Sequence, residues 1–258
     1  MMTLIRVLFL SVIALGLPVL PVASAADKKL LTICGTTWGK LGGDHLPGQG
    51  FVPDLVMRVF RHAGYEIKTQ LVPWPRCIED AKSLKFDLVS SAWRGKNFAP
   101  HFDYLNVILI DTINFITLED SPIKSGTYES FYGRRVGLVR EAGGLEALFE
   151  NHDKIQIVGV ALLKKLPPML AHGRFDAIVS DPVSLNEAVK ALAPPFKNKL
   201  VALDPPLKKN LNSPLIAKTH PDKARIIADF DRAYRELADK GLYDELIKIH
   251  DLQVQYPK

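Results

Sequence analysis

The chain has 258 residues, with 33 Lys and Arg against 28 Asp and Glu and a formal net charge of +5. That length suits one large domain or two lobes of roughly 100 residues each. The charge is only mildly basic and no Lys/Arg cluster is interleaved with aromatics, so nucleic-acid binding has little support. There is no CxxC and no histidine pair at ligand spacing, so a metal site and a cofactor have none either.

The N-terminus reads as an export signal. Arg6 supplies the positive start, and Val7 to Leu20 is mostly apolar, broken by Gly16 and Pro18. Ala23-Ser24-Ala25 is a small-residue cleavage site. A membrane span needs about 20 apolar residues, so an uncleaved anchor is the weaker alternative. No later stretch is apolar enough, because Leu105 to Leu118 carries Asn106, Asp111 and Asn114. The expected mature chain begins at Ala26, after cleavage at Ala25, and lies in the periplasm. An exported chain with two cysteines usually pairs them. A Cys34–Cys77 bridge closes a loop of roughly 40 residues and contributes about 4 kcal/mol in the chain-entropy account. Two buried free thiols are the alternative.

In chain order, Leu30 to Cys34 is a short strand. Pro53 to Ala63 has apolar residues at helical spacing and stops at Gly64. Ile67 to Val72 alternates as a strand, Arg76 to Leu84 is helical, and Phe86 to Ser90 is a strand. Val107 to Thr117 is long enough to cross between lobes. The pattern then restarts. Arg135 to Val139 is a strand, followed by a turn through Gly143-Gly144 and a helix to Phe149. Ile155 to Val160 is a strand. Leu162 to Ala171 is a helix that accommodates Pro167-Pro168 near its start or kinks there. Phe175 to Val179 is a strand, and the next helix runs to about Ala193. Ser213 to Lys218 returns as a strand. A long helix spans Pro221 to Lys240, and a short one ends near His250.

Strand and helix in repetition imply parallel sheets covered by helices. The fold class is α/β, with two parallel-sheet lobes joined by two crossover strands. Residues 26–117 and 213–258 form the first lobe and 118–212 the second. The expected hinge regions are Leu118 to Gly126 and Pro205 to Ser213. All seven histidines read as surface residues, His45 near the cleft mouth being the one to watch.

One block is more specific than the rest. Pro73-Trp74-Pro75-Arg76 leads into a helix, then a strand containing Asp87, then Ser90-Ser91-Ala92-Trp93-Arg94. Elsewhere stand Thr36-Thr37-Trp38, Gly50-Phe51-Val52-Pro53-Asp54-Leu55, Gly173-Arg174-Phe175-Asp176-Ala177 and Gly241-Leu242-Tyr243. In order and spacing these resemble the extracytoplasmic solute-binding proteins of family 3, the polar amino-acid type, over nearly all of the mature chain. The resemblance implies a two-lobed periplasmic binding protein of type II, not an enzyme, with an interlobe cleft. It implies an arginine that clamps a ligand carboxylate, an acid at Asp181 that receives its ammonium, and aromatic rings at Trp38, Trp74 and Trp93. The implied partners are a small polar solute and an inner-membrane ABC permease or another periplasmic protein, with the protein itself a monomer.

The chain departs from that pattern in two places. The clamp position is Phe98, which cannot bind a carboxylate. The turn Arg140-Glu141-Ala142-Gly143-Gly144 lacks the hydroxyls that usually precede the second-lobe helix. Either Arg76, Arg94 or Arg140 substitutes, or the ligand carries no α-carboxylate in the usual place. The candidate ligand contacts are therefore Trp38, Trp74, Arg76, Ser91, Trp93, Arg94, Arg140 and Asp181. Each also has a plainer reading. The tryptophans pack, Arg76 pairs with Glu79 on its own helix, Arg94 is solvated, and Asp181 caps the next helix. Two other functions compete. A dehydratase-like enzyme on the same scaffold would use Glu141 or Asp181 as general acid. An accessory protein would bind another protein, a reading that an exposed apolar cleft would favour.

Overall fold

In the computed structural model, residues 29–190 and 199–257 are described. The expected signal, residues 1–25, lies outside them, as does the end of the helix expected to reach Ala193. The first sheet is built by β1 (Leu30–Gly35), β2 (Glu66–Leu71) and β3 (Leu88–Trp93), with β1 central and parallel to both. On one face sit α1 (Phe51–His62), α6 (Lys223–Ala238) and α7 (Leu242–His250). Leu55, Val59 and Phe60 of α1 form a buried stripe at helical spacing. Phe60 meets Phe230 of α6 at 5.0 Å between ring centroids. The helix stops at Gly64, whose φ of +92° suits a residue without Cβ.

On the other face of that sheet lies α2 (Trp74–Lys82). It starts at Pro73-Trp74-Pro75, where a missing N–H costs a first turn nothing. The Cys34–Cys77 disulfide ties α2 to the end of β1, with the Cα atoms 5.6 Å apart. Around it Trp74, Ile78, Val89, Ala92, Phe98 and Phe102 form a buried apolar cluster.

Two long strands carry the chain between the lobes. β5 (Leu109–Leu118) pairs antiparallel with β10 (Lys208–Ala217) through residues 109–113, then with β8 (Ala177–Ser180) through 114–116. The other side of β10 pairs with β3 and with the short β4 (Phe102–Tyr104). In the second lobe β6 (Arg135–Val139) lies parallel between β7 (Gln156–Val160) and β8, and β9 (Leu200–Ala202) adds to β5. The strand order is β2-β1-β3-β10-β5-β8-β6-β7. The helices are α3 (Glu146–Phe149), α4 (Leu166–Ala171) and α5 (Pro182–Lys190). A 3-10 turn, Leu163–Lys165, precedes α4, so Pro167 and Pro168 fall in the first α-helical turn.

This is the two-lobed fold with parallel sheets and crossover strands that the sequence predicts. Several boundaries differ. β10 begins five residues before the expected Ser213, because Lys208–Asn212 pairs with β5 although its side chains alternate between exposed and buried. β3 runs on to Trp93, past the expected Ser90. The helix expected to reach Phe149 is a single turn. β4 and β9, three residues each, have too little pattern to be read from sequence. Two histidines are not surface residues. His220 is buried against Asp87 at 3.0 Å, and His250 against Asp54 at 3.0 Å.

Candidate functional site

The cleft forms where strand ends of the two lobes face each other. From the first lobe come Thr36, Thr37 and Trp38 after β1, Trp74 at the start of α2, and Ser90, Ser91 and Trp93 of β3. From the second come Leu138 and Val139 of β6, Ala142 and Gly143 of the following turn, Leu163, and Val179 and Ser180 of β8. The cleft holds about 790 Å³, its open mouth included. Among the described residues, none that lines it carries a charge.

The three tryptophans are anchored by their indole N–H groups, each to a partner in the second lobe or the crossover strands. Trp38 donates to Asp181 Oδ2 at 2.8 Å, Trp93 to Asp111 Oδ2 at 2.6 Å, and Trp74 to the Glu141 carbonyl at 3.0 Å. Trp38 and Trp93 meet edge to face, 6.1 Å between centroids. These bonds hold the rings fixed and leave carbon surface toward the cleft.

Asp181 is fully buried and its bonds are already made. The Ser184 N–H donates to Oδ1 at 2.7 Å, and the Ser184 hydroxyl donates to Oδ2 at 2.5 Å, where Trp38 also donates. This is an N-cap of α5. The carboxylate is not among the groups lining the cleft; it faces a separate hollow that also touches Asp111 and Gln253. Burial pushes the Asp181 pKa up, against the downward pull of Ser184 and Trp38. Asp111 goes further. Burial first, and then the charge of Asp181, raise it well above 3.8, although Trp93 and Asn212 both donate to it.

The three candidate arginines are elsewhere. Arg76 is exposed on α2 and pairs with Asp80 at 3.3 Å, not with Glu79, which pairs with Lys82. Arg94 turns back onto the first lobe. Its Nε donates to the Ser213 hydroxyl at 2.9 Å, its Nη2 to the Leu105 carbonyl at 2.8 Å, and it stacks over Tyr104. Burial pulls its pKa down from the ordinary value, in a range that still leaves the guanidinium charged. Arg140 is exposed with its stem laid over Gly159, where an added Cβ would come 2.1 Å from Arg140 Cγ. Of the eight candidate contacts, the fold brings Trp38, Trp74, Ser91 and Trp93 together and leaves Arg76, Arg94, Arg140 and Asp181 off the cleft surface.

Phe98 and Gly143 explain each other. The Phe98 ring is 2 % exposed and packs edge to face on Trp74 and Phe102. A Cβ at Gly143 would sit 2.5 Å from that ring and 2.5 Å from the Trp93 carbonyl. A Cβ at Gly95 would sit 2.3 Å from the Gly144 amide nitrogen. The second-lobe turn therefore approaches the first lobe backbone to backbone, and only residues without side chains permit it. The absent arginine and the absent hydroxyls belong to one packing arrangement. At its rim the Lys96 N–H donates to Glu146 Oε1 at 2.6 Å and Lys208 lies 3.6 Å from Glu146. Burial would raise the Glu146 pKa, but these contacts hold it below the usual value.

Sequence reasoning missed Asp111, Asn210 and Asn212, all buried polar residues on the crossover strands. Asn212 links Asp111 to Ser91, whose hydroxyl donates to Asn212 Oδ1 at 3.2 Å. A charged residue inside an otherwise buried strand was the available signal.

The sequence matches the bacterial extracellular solute-binding proteins, family 3, over residues 44–250. The chain belongs to that family. Among solved structures it resembles a histidine kinase sensor domain with similarity to periplasmic binding proteins, at 18% identity and TM-score 0.78, covering 89% of this chain and 99% of that one. It also resembles a mutant ArgBP from T. maritima, at 20% identity and TM-score 0.73, covering 85% and 93%. A putative L-cystine ABC transporter protein from Listeria monocytogenes gives 19% identity and TM-score 0.70, covering 85% and 94%. At such identities the likeness carries the fold. No curated protein matches the sequence. The family is extracellular by description, and no helix among the described residues is long and apolar enough to cross a membrane.

Proposed function

We propose that this family member is a periplasmic receptor that binds a small solute between its lobes, without catalysis, and presents the closed form to an inner-membrane permease. The observation that carries the reading is the cleft itself, bounded by both lobes and lined by three fixed tryptophans with five hydroxyl residues among them. Solute touching both walls stabilises closure, and closure is what a membrane partner can read. In this reading 26–117 and 213–258 make the first lobe, 118–212 the second, and the exported chain acts as a monomer after loss of residues 1–25. The same closed form would serve a sensor partner, as in the kinase-domain relative.

Small-angle scattering on the mature chain tests this reading. A decrease in radius of gyration with a binding solute is expected; no change with any solute that binds would overturn it. A second reading, an accessory protein that grips another protein, draws on the apolar lining. Against it, Trp74 is buried and Trp38 and Trp93 are half-buried behind interlobe contacts, which leaves a chamber and not an open face. For an enzyme, neither Glu141 nor Asp181 presents a carboxyl to the cleft.

A further inference from the structure

We propose that the solute is a small uncharged ring compound, mostly hydrocarbon with one or two hydroxyl or carbonyl groups; this rests on the reading of the cleft as a solute site. The lining has no charged side chain, so nothing there compensates a carboxylate or an ammonium taken out of water. The two acids nearest the cleft are turned away behind Trp38 and Trp93 and already bonded. Arg94, the nearest guanidinium in sequence to the missing clamp, does not line the cleft and points Nε and Nη2 at Ser213 and Leu105.

Two helix N-termini beside this cleft, another usual kind of anion partner, are occupied. The N–H groups of Phe51 and Val52 that open α1 donate to the Lys40 and Leu41 carbonyls at 3.1 and 3.0 Å, and Pro53 has none. The Ser184 N–H of α5 is taken by Asp181. What the lining side chains present is carbon surface and hydroxyls. Three indoles with their N–H groups committed offer faces and edges to a ring. Ser90 and Thr36 offer donors and acceptors without charge, and Ser91, its proton given to Asn212, offers an acceptor. A neutral ring with a hydroxyl satisfies both.

Calorimetric titration of the mature chain with two matched sets of probes tests the proposal. The neutral set is benzyl alcohol, phenol and cyclohexanone; the charged set is benzoate, phenylalanine and arginine. At least one neutral probe is expected to bind about tenfold more tightly than every charged one, a gap of about 1.4 kcal/mol. Ala142→Glu, which puts an acid into the wall, is expected to weaken that binding about tenfold while a melting curve shows the variant folded. Unchanged binding in the folded variant would place the ring elsewhere and overturn the proposal. Equal or tighter binding of a charged probe, or of a sugar, would overturn the ring class and leave the receptor reading standing. No binding from either set, with unchanged scattering across sugars, amines and acids, would remove both.

Discussion

The cleft wall and the junction behind it treat charge in opposite ways. The wall, from Thr36 to Trp38 and from Ser90 to Trp93 across to Val139 and Gly143, presents no ionisable side chain. Directly behind Trp38 and Trp93, the junction of β5 and α5 buries two carboxylates, Asp181 and Asp111. Just behind the wall, the position expected to hold an arginine holds Phe98, packed on Trp74, and the glycine facing it makes room for the ring. In the junction, acids that could serve a ligand serve the tryptophans instead. The difference teaches that charged groups here position the aromatic surface and are not themselves presented at the cleft.

The sharpest way to break that comparison is to put the arginine back. Phe98→Arg is expected to leave a guanidinium buried among Trp74, Phe102 and Gly143 with no acid opposite, at a cost of about 3–5 kcal/mol. Urea unfolding would read the loss, and arginine or glutamate binding is not expected to appear. Rigidity of the wall comes next. Cys34→Ser with Cys77→Ser frees α2, which carries Trp74, and is expected to cost about 4 kcal/mol. Reducing the wild type should give the same fall in denaturation midpoint.

Gly143→Ala tests the fit between lobes. Its Cβ meets ring and backbone at 2.5 Å, so a loss of about 1–3 kcal/mol and a shift toward the open form are expected. Scattering and urea midpoints together separate the two effects. Asp111→Asn addresses the junction. Folding raises the Asp111 pKa above 3.8, so its contribution is complete below 3.8 and is lost as pH rises through the raised value. The asparagine carbonyl still accepts from Trp93 but cannot ionise, so the variant's stability should decline less with rising pH. A profile parallel to the wild type would contradict the burial argument. The smallest effect belongs to Arg76→Ala. The side chain is exposed and its pair with Asp80 is solvated, so the change should stay within about 0.5 kcal/mol and leave binding unaltered.

Much of the frame was legible because local pattern and tertiary demand agree. β6 is Arg135–Val139 as expected, α1 ends at Gly64, and the cysteines pair. The tryptophans could be placed at the cleft because each follows or ends an element at a strand end, where α/β sheets bind ligands. The arginines could not be placed. Arg94 is fixed by Ser213 and the Leu105 carbonyl, contacts that depend on β10 lying beside β3. Asp181 offered two readings from sequence, ligand acid and helix cap, and the geometry selects the cap. Asp111 looked like a polar break in an apolar run. Only the β5–β8 crossing brings it near Asp181 and behind Trp93.

Mass spectrometry on the exported chain, purified without denaturation and then unfolded to release what it carries, tests the central claim most directly. The account predicts an uncharged, largely hydrocarbon molecule at one per chain. A released amino acid or organic acid at that ratio would contradict it.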